Sequence, residues 1–228
     1  MQLHMLVFLE LLTSLLSFLY VIALSIRKFF AGEIWRTNVQ LPRKTVVITG
    51  ANMGISKETA RELTHRGLCI NSQVLVWKLD LSSTKSIRAF AESLLAVQKQ
   101  LHILINNTGM MMCPYSKTAN SFETHLGINC LGHFLLTCSL LEQLKESALA
   151  QMVNLSSVAH HAGKIRFQDL ESEKCYSWGF AYCHSKMANI LFTWGLAKRL
   201  QRKGATLYAV HPVLFLRLKI LPALLRYN

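Results

Sequence analysis

The sequence predicts an α/β fold, a doubly wound parallel sheet, with a membrane helix in front of it. Three observations carry that expectation. Short apolar, β-branched runs alternate with amphipathic stretches through residues 44–212; the first run stops at a glycine turn that opens directly into a helical stretch; and residues 5–26 are almost wholly apolar. Strands alternating with helices argue for a parallel sheet with right-handed crossovers.

The amino-terminal apolar stretch is interrupted only by Glu10 and small hydroxyl residues. Its length matches the roughly 20 residues needed to cross a bilayer core. Arg27-Lys28 follow at once, and by the positive-inside tendency they hold the next domain on the cytoplasmic side. A cleaved signal peptide is the competing reading, but no basic n-region precedes the run and no small-x-small cleavage site is evident. The expected division is an anchor at 1–28, a polar connector at 29–43 ending in Leu41-Pro42, a dinucleotide-binding domain at 44–212 and a tail at 213–228. A chain of 228 residues has room for one such domain.

The charge balance, 25 Lys and Arg against 12 Asp and Glu, gives a formal +13. The basic residues are scattered in ones and twos, as at Lys198-Arg199 and Arg202-Lys203, without the interleaved aromatic residues that stack bases. That pattern speaks against nucleic acid and for a membrane surface or cofactor phosphates. The cysteines, at 69, 113, 130, 138, 175 and 183, form no CxxC pair and no metal-ligand spacing with histidine, so they read as reduced thiols.

The first expected strand, 44–49, ends at Gly50, and Ala51, Asn52, Met53, Gly54, Ile55 and Ser56 turn into a helix expected over 57–66 and closed by Gly67. Backbone N–H groups and the positive end of a helix suit a pyrophosphate there, so these residues are candidate dinucleotide ligands. A second strand is expected at 73–81, carrying Asp80 near its end, then a helix at 83–98, a strand at 101–107 ending in Asn106-Asn107, a long helix at 122–145 carrying Asn129, and a strand at 151–157 ending in Ser156-Ser157. A helix at 179–203 and a strand at 206–210 complete the alternation. Ligands of open α/β sheets bind at the carboxyl ends of the strands, where Asn107 and Ser157 fall.

Tyr182-Cys183-His184-Ser185-Lys186 opens the last helix. Four residues apart, Tyr182 and Lys186 share a face, and an ammonium beside a phenol favours the phenolate needed for proton exchange with an alcohol or carbonyl. His160-His161 read as a loop pair for want of a third metal ligand. The glycosylation sequons at Asn106 and Asn154 fall in strand ends that this fold would bury.

Taken together, Thr49-Gly50-Ala51-Asn52-Met53-Gly54-Ile55, Asn106-Asn107-Thr108-Gly109, Asn129, Ser157 and the Tyr182–Lys186 motif resemble the short-chain dehydrogenase/reductase family, a Rossmann-like fold. Residues 36–42, 111–118, 158–161 and 180–186 look like its retinol dehydrogenase branch. The resemblance implies a membrane-anchored oxidoreductase using NADP or NAD on a lipophilic, retinoid-like aldehyde or alcohol, at the endoplasmic reticulum with its catalytic domain facing the cytosol. It implies Tyr182 as general acid/base, with Lys186 lowering its pKa and binding the nicotinamide ribose. Ser157 would hold the substrate oxygen and Asn129 would position a water of a proton relay. Gly50 through Ser56 would cradle the phosphates, and Asp80 and Asn107 would flank the adenine and its ribose.

The departures from the family matter equally. A strand and helix expected between Gly67 and Asn71 are missing, Ser56 replaces a glycine, Thr108 an alanine and Val213 a glycine, and the tail after Pro212 matches nothing in the family pattern. The competing function is therefore an impaired relative that at most binds nucleotide, membrane or partners. The shortened connection predicts that 73–80 slips into the vacant slot beside the first strand, bringing Asp80 toward the ribose and favouring NAD over NADP.

Overall fold

The computed structural model describes residues 40–42, 44–68, 74–147, 149–201 and 204–212. The expected anchor and the 213–228 tail lie outside them, and among the described residues no helix is long and apolar enough to cross a membrane.

Four parallel strands form one sheet in the order β1 (Val46–Ile48), β2 (Ile103–Asn106), β3 (Ala150–Leu155), β4 (Ala205–Val210). Register runs Val46 against Ile103, Ile103 against Gln151, and Ala150 against Ala205. The helices are α1 (Gly54–Leu63), α2 (Thr84–Val97), α3 (Thr124–Leu126), α4 (His133–Ser139), α5 (Leu141–Glu146) and α6 (Trp178–Arg199). Alternate strand residues point to opposite faces. Leu104 and Met152 join α2, α4, α5 and α6 through Ile87, Leu94, Leu136, Leu144, Leu196 and Leu200. On the other face Ile103, Ile105, Val153 and Leu155 pack with Leu63 of α1 and Leu41. The expected parallel-sheet α/β architecture is present.

Local signals account for most boundaries. Gly67 ends the first helical stretch at φ 80°, a left-handed position that costs glycine little. Ser83 caps α2 by accepting the Ser86 N–H. The expected helix at 122–145 is instead divided: α3 passes through a wide π turn, Gly127–Gly132, into α4, and Leu140, at φ −106° and ψ 4°, separates α4 from α5.

The expected strand at 73–81 is a correction. Val74 to Asp80 form no ladder, and β1 pairs with β2 and with no other described strand. The side chains still alternate, Trp77, Leu79 and Leu81 packing on the α2 face while Lys78 and Asp80 are exposed. Trp77 meets Phe90 of α2 edge to face at 5.8 Å. Trp77 and Leu81 pack in the α2 cluster, on the face of the sheet opposite α1, which holds 77–81 to α2 rather than to β1. The basis for a preference for NAD goes with the slipped strand.

Candidate active site

β1 delivers Thr49 and Gly50 into the turn. Gly50 (φ 70°) and Gly54 (φ 61°) are both left-handed, where a side chain is strained. A Cβ on Gly50 would lie 2.7 Å from Thr108 Oγ1, whereas nothing lies within 4 Å of one on Gly54. Met53, the N-cap of α1, makes no side-chain capping bond, so first-turn N–H groups face the open space above the turn, the condition for anion binding. Ala51 and Ile55 are half-buried and Asn52 and Met53 exposed. Ser56 is buried, and its presence where the pattern expects glycine has a physical account. Its hydroxyl bonds Gly50 O (2.5 Å) and Met53 O (3.1 Å) and accepts from Asn107 Nδ2 (2.9 Å), tying the turn to the end of β2.

A relay absent from the sequence reading fixes the same region. His133 Nδ1 lies 3.2 Å from Asn129 O and its Nε2 2.9 Å from Thr49 Oγ1. Complete burial pushes the His133 pKa down to about 4, so the ring is neutral. A carbonyl can only accept, so Nδ1 carries the proton and the Thr49 hydroxyl donates to Nε2. Thr49 Oγ1 in turn accepts the N–H groups of Asn107 (2.9 Å) and Thr108 (3.0 Å). Asp80 is exposed, and its hydrogen bonds all go to the turn entering α2. Its carboxylate accepts from the Ser82 hydroxyl (2.7 Å) and N–H (2.9 Å), which hold its pKa below the ordinary carboxylate value.

At the other end of the site, Tyr182 and Lys186 stand one turn apart on α6, the Lys186 Nζ 5.6 Å from the centroid of the Tyr182 ring. Lys186 is buried, and desolvation pulls its pKa down to about 8. Its ammonium donates to Leu155 O at the end of β3 (3.0 Å), a carbonyl that also accepts from Asn189 Nδ2 (3.2 Å). Ser156 Oγ donates to Lys186 O (2.7 Å). A Cβ on Gly109 would stand 3.3 Å from both Lys186 Nζ and Asn129 Oδ1, so a glycine there keeps the approach to the amine open.

Asn129 is fully buried in the π turn. Its Nδ2 donates to Met110 O (3.0 Å) and Ser185 Oγ (2.9 Å), and its Oδ1 accepts from Met110 N (2.7 Å). The amide braces the Gly109-Met110 turn against α6 and has no proton left over for a water. Ser185 Oγ donates to Tyr182 O (2.8 Å), completing a path from Asn129 to the tyrosine backbone. Ser157, half-buried after β3, accepts the Ala159 N–H (3.2 Å) and keeps its own hydroxyl proton. The second and third turns of α6 pack tightly on the segment after Ser157, where a Cβ on Gly163 would collide with Cys183 O and Met187 Cβ.

Other candidate chemistry resolves into structure. His211 joins His160 and His161, with ring centroids 4.0 Å and 5.6 Å from His160, yet no group among the described residues could hold a metal ion. Cys113 Sγ lies 3.4 and 3.7 Å from the two ring nitrogens of His125. Near-equal reach to both puts the sulfur against the ring, not in line with a lone pair, and Glu123, bonded to His125 Nδ1 (2.8 Å), serves as the cap of α3. Asn106 and Asn154 are buried and bond each other (2.7 Å), as expected of sequons that are not glycosylation sites. The five described cysteines are free.

Residues 68–216 match the short chain dehydrogenase family. The sequence is 67% identical to retinol dehydrogenase 12 of Homo sapiens over 230 positions, which cover 91% of this chain and 73% of that protein. The chain belongs to the retinol dehydrogenase branch of the short-chain dehydrogenases. The chain is also 55% identical to retinol dehydrogenase 11 of Mus musculus, over 89% of its own length and 71% of that protein's. Its fold resembles the crystal structure of an uncharacterised protein from Mycobacterium paratuberculosis, with TM-score 0.67, 39% identity, and 78% and 72% of the two chains covered. It shares the fold alone with an NADPH-bound carbonyl reductase from chicken fatty liver (TM-score 0.58, 23% identity, 75% and 80% covered). The match to the human enzyme spans 230 positions but takes in 91% of 228 residues, about 207, so the relative carries about 23 residues inside the match that this chain lacks. A loss of that size accords with the internal strand and helix missing from the sequence pattern.

Proposed function

We propose that this short-chain dehydrogenase interconverts a lipophilic alcohol and its aldehyde, of the retinol and retinal kind, with a nicotinamide dinucleotide as hydride carrier. The observation that carries the reading is the buried Lys186 ammonium. It has three protons, finds the Leu155 carbonyl as acceptor among the described residues, and is flanked by Gly109. A sugar hydroxyl would satisfy the protons that remain. The open space at Gly54 and the uncapped start of α1 fit the phosphates of the same group.

In this reading Gly50, Ala51, Asn52, Met53, Gly54, Ile55 and Ser56 form the phosphate cradle, with Asn107 and Asp80 at the adenosine end and Lys186 at the nicotinamide ribose. The dinucleotide, when bound, supplies or accepts the hydride at the carbonyl carbon. Tyr182 gives its phenolic proton to the carbonyl oxygen in reduction and takes it back from the alcohol in oxidation, with the Lys186 ammonium one turn away on the same helix. Ser157, with its hydroxyl proton unspent, holds the same oxygen. Asn129 acts as a positioning residue, bracing Gly109-Met110 and, through Ser185, Tyr182. The exposed side chains of Met110, Met111, Met112 and Phe180 beside these groups suit an apolar substrate. NADP and NAD are both compatible with these residues.

Residues 5–26 would anchor the enzyme in the endoplasmic reticulum membrane, with Arg27-Lys28 keeping the 44–212 domain in the cytosol. A second reading, a binding protein without turnover, is favoured by one observation. Among the described residues β1 has a partner on one side only, and Val74, Leu75 and Val76 beside the shortened connection are exposed. Titrating the detergent-extracted full chain with NADPH and with NADH, following cofactor fluorescence, and then adding all-trans-retinal separates the readings. Saturable binding with cofactor oxidation supports the oxidoreductase, binding without oxidation supports the second reading, and no binding of either cofactor refutes the oxidoreductase and restricts the second reading to membrane or other partners.

A further inference from the structure

The ring of Tyr182 is met from outside α6 by His125 of α3. The two stand edge to face, 6.4 Å between centroids at an interplanar angle of 70°, a favourable arrangement for aromatic pairs. His125 and Glu123 are both buried. The Glu123 carboxylate accepts from His125 Nδ1, from the His125 N–H and from the Leu126 N–H, each at 2.8 Å. Burial alone would raise the Glu123 pKa, but these bonds outweigh it and hold the carboxyl below its ordinary value. A carboxylate only accepts, so His125 Nδ1 carries a proton and that bond pins the ring. Glu123 is fixed in turn, its own N–H donating to the Glu171 carboxylate. Tyr176 also packs on His125, tilted, at 6.4 Å. Its hydroxyl is spent on Cys113 O (2.5 Å), and burial pushes its pKa up to about 12.

We propose that His125 is a positioning residue, its pinned ring holding the Tyr182 side chain so that the phenol points at the substrate oxygen. The role rests on the function of Tyr182 proposed above and is exercised through that residue. The backbone of Tyr182 is held by Ser185, and the Lys186 ammonium, 5.6 Å from the ring centroid, belongs to the same helix. The Tyr182 hydroxyl has no hydrogen-bond partner among the described residues. Rotation about χ1 would carry the phenol oxygen several ångströms, and rotation about χ2 would turn the plane in which its O–H lies. A contact from a separate element ties both angles to the rest of the site. A misplacement of about 1 Å costs on the order of 100-fold in rate, so an orienting ring acts on turnover without touching cofactor or substrate. Of the two phenols that pack on His125, that of Tyr176 is already committed to Cys113 and that of Tyr182 is free to exchange its proton.

The test uses the full-length chain in detergent, labelled with fluorotyrosine, the Tyr182 signal being the fluorine resonance that Tyr182→Phe lacks. Two variants remove the ring: His125→Asn, which still offers Glu123 an N–H, and His125→Leu with Glu123→Gln, which leaves no buried charge unpaired. A third, His125→Phe with Glu123→Gln, keeps a ring. In the wild type and the phenylalanine variant the Tyr182 resonance should stand apart from that of free fluorotyrosine, and in the ring-less variants it should move toward it. With NADPH and all-trans-retinal, kcat of the ring-less variants should fall by about 10- to 100-fold with cofactor affinity unchanged. Their solvent deuterium isotope effect should grow as the proton step becomes slow, and the phenylalanine variant should recover most of the rate. An unmoved Tyr182 resonance, or a kcat within about 2-fold of wild type in the ring-less variants, overturns the inference. A loss of NADPH binding parallel to the loss of rate marks a merely structural role and also overturns it. If the wild-type chain binds NADPH without reducing retinal, the oxidoreductase reading fails, and the fluorine resonance alone decides whether His125 holds Tyr182.

Discussion

Replacing Lys186 by methionine should make the cofactor-free protein more stable while weakening its hold on the cofactor. The fall of the ammonium pKa from its ordinary 10.5 to about 8 corresponds to roughly 3 kcal/mol of destabilisation at neutral pH, because the folded state must keep a charge out of water. Methionine has similar length and no charge. It forfeits the hydrogen bond to Leu155 O, a loss of about 1 kcal/mol, and that carbonyl keeps Asn189 Nδ2 as a donor. The net expectation is a gain of about 2 kcal/mol in the absence of cofactor. The pH dependence gives a second check. With the folded pKa below the unfolded one, the wild-type penalty is fully present below pH 8, shrinks as pH rises and is gone above 10.5. The advantage of Lys186→Met should therefore vanish across that window. Cys130, whose thiol burial pushes up to about 12, titrates at higher pH in both proteins and largely drops out of the difference. Denaturant unfolding in detergent at neutral and alkaline pH measures both effects, and NADPH titration should show affinity lower by about 10-fold or more. A variant less stable than wild type at neutral pH, or a difference flat with pH, would refute the account of Lys186 as a buried cation whose single hydrogen bond, to Leu155 O, does not offset its desolvation.

Two glycine-to-alanine changes should have opposite signs. Gly195→Ala, with nothing within 4 Å of the new Cβ on α6, should stabilise by about 1 kcal/mol through helix propensity, whereas Gly132→Ala, whose Cβ would lie 2.5 Å from Leu81 O, should destabilise by about 1–3 kcal/mol or more; thermal unfolding of the two variants decides. His133, neutral in the fold with its pKa at about 4 against an ordinary 6.5, contributes stability that is present above pH 6.5 and lost toward pH 4, roughly 3 kcal/mol in all. His102 and His184, also shifted down by burial, act in the same direction, so His133→Gln should flatten only part of an acid unfolding profile. Deleting residues 1–28 should release the protein from membranes into the soluble fraction, and extraction of the intact chain by alkaline carbonate would instead rule out the anchor.

The sequence was legible wherever the signal was local. The β1-turn-α1 unit, the Gly67 stop, the helix expected over 83–98 and the one-turn spacing of Tyr182 and Lys186 all depend on neighbours within a few residues, and each stands where the pattern put it, within a few residues at the element ends. At 74–80 the strand expected from the apolar run has no partner: Trp77 and Leu79 alternate with exposed Lys78 and Asp80, but alternation is a property of the segment and pairing a property of its neighbours. The division at Leu140 was hidden because the apolar period runs on through α4 and α5. The Thr49–His133 relay, spanning 84 residues, and the Asn129–Ser185 bond, spanning 56, join polar groups that carry no sign of their partners in sequence. For Asn106 and Asn154 the expected burial was correct, yet their hydrogen bond to each other follows only from the register of β2 on β3.

The proposed assignment of Tyr182 as the proton donor in a nicotinamide-dependent reduction is tested most directly by label transfer. The full-length chain is incubated with NADPH, or NADH, deuterated at the transferring position of the nicotinamide, together with all-trans-retinal, and the product is analysed by mass. The account predicts deuterated retinol from the wild-type protein and none from Tyr182→Phe, with cofactor affinity in that variant nearly unchanged. Deuterated product from Tyr182→Phe at the wild-type rate, or no label transfer by the wild-type chain despite bound cofactor, would contradict it.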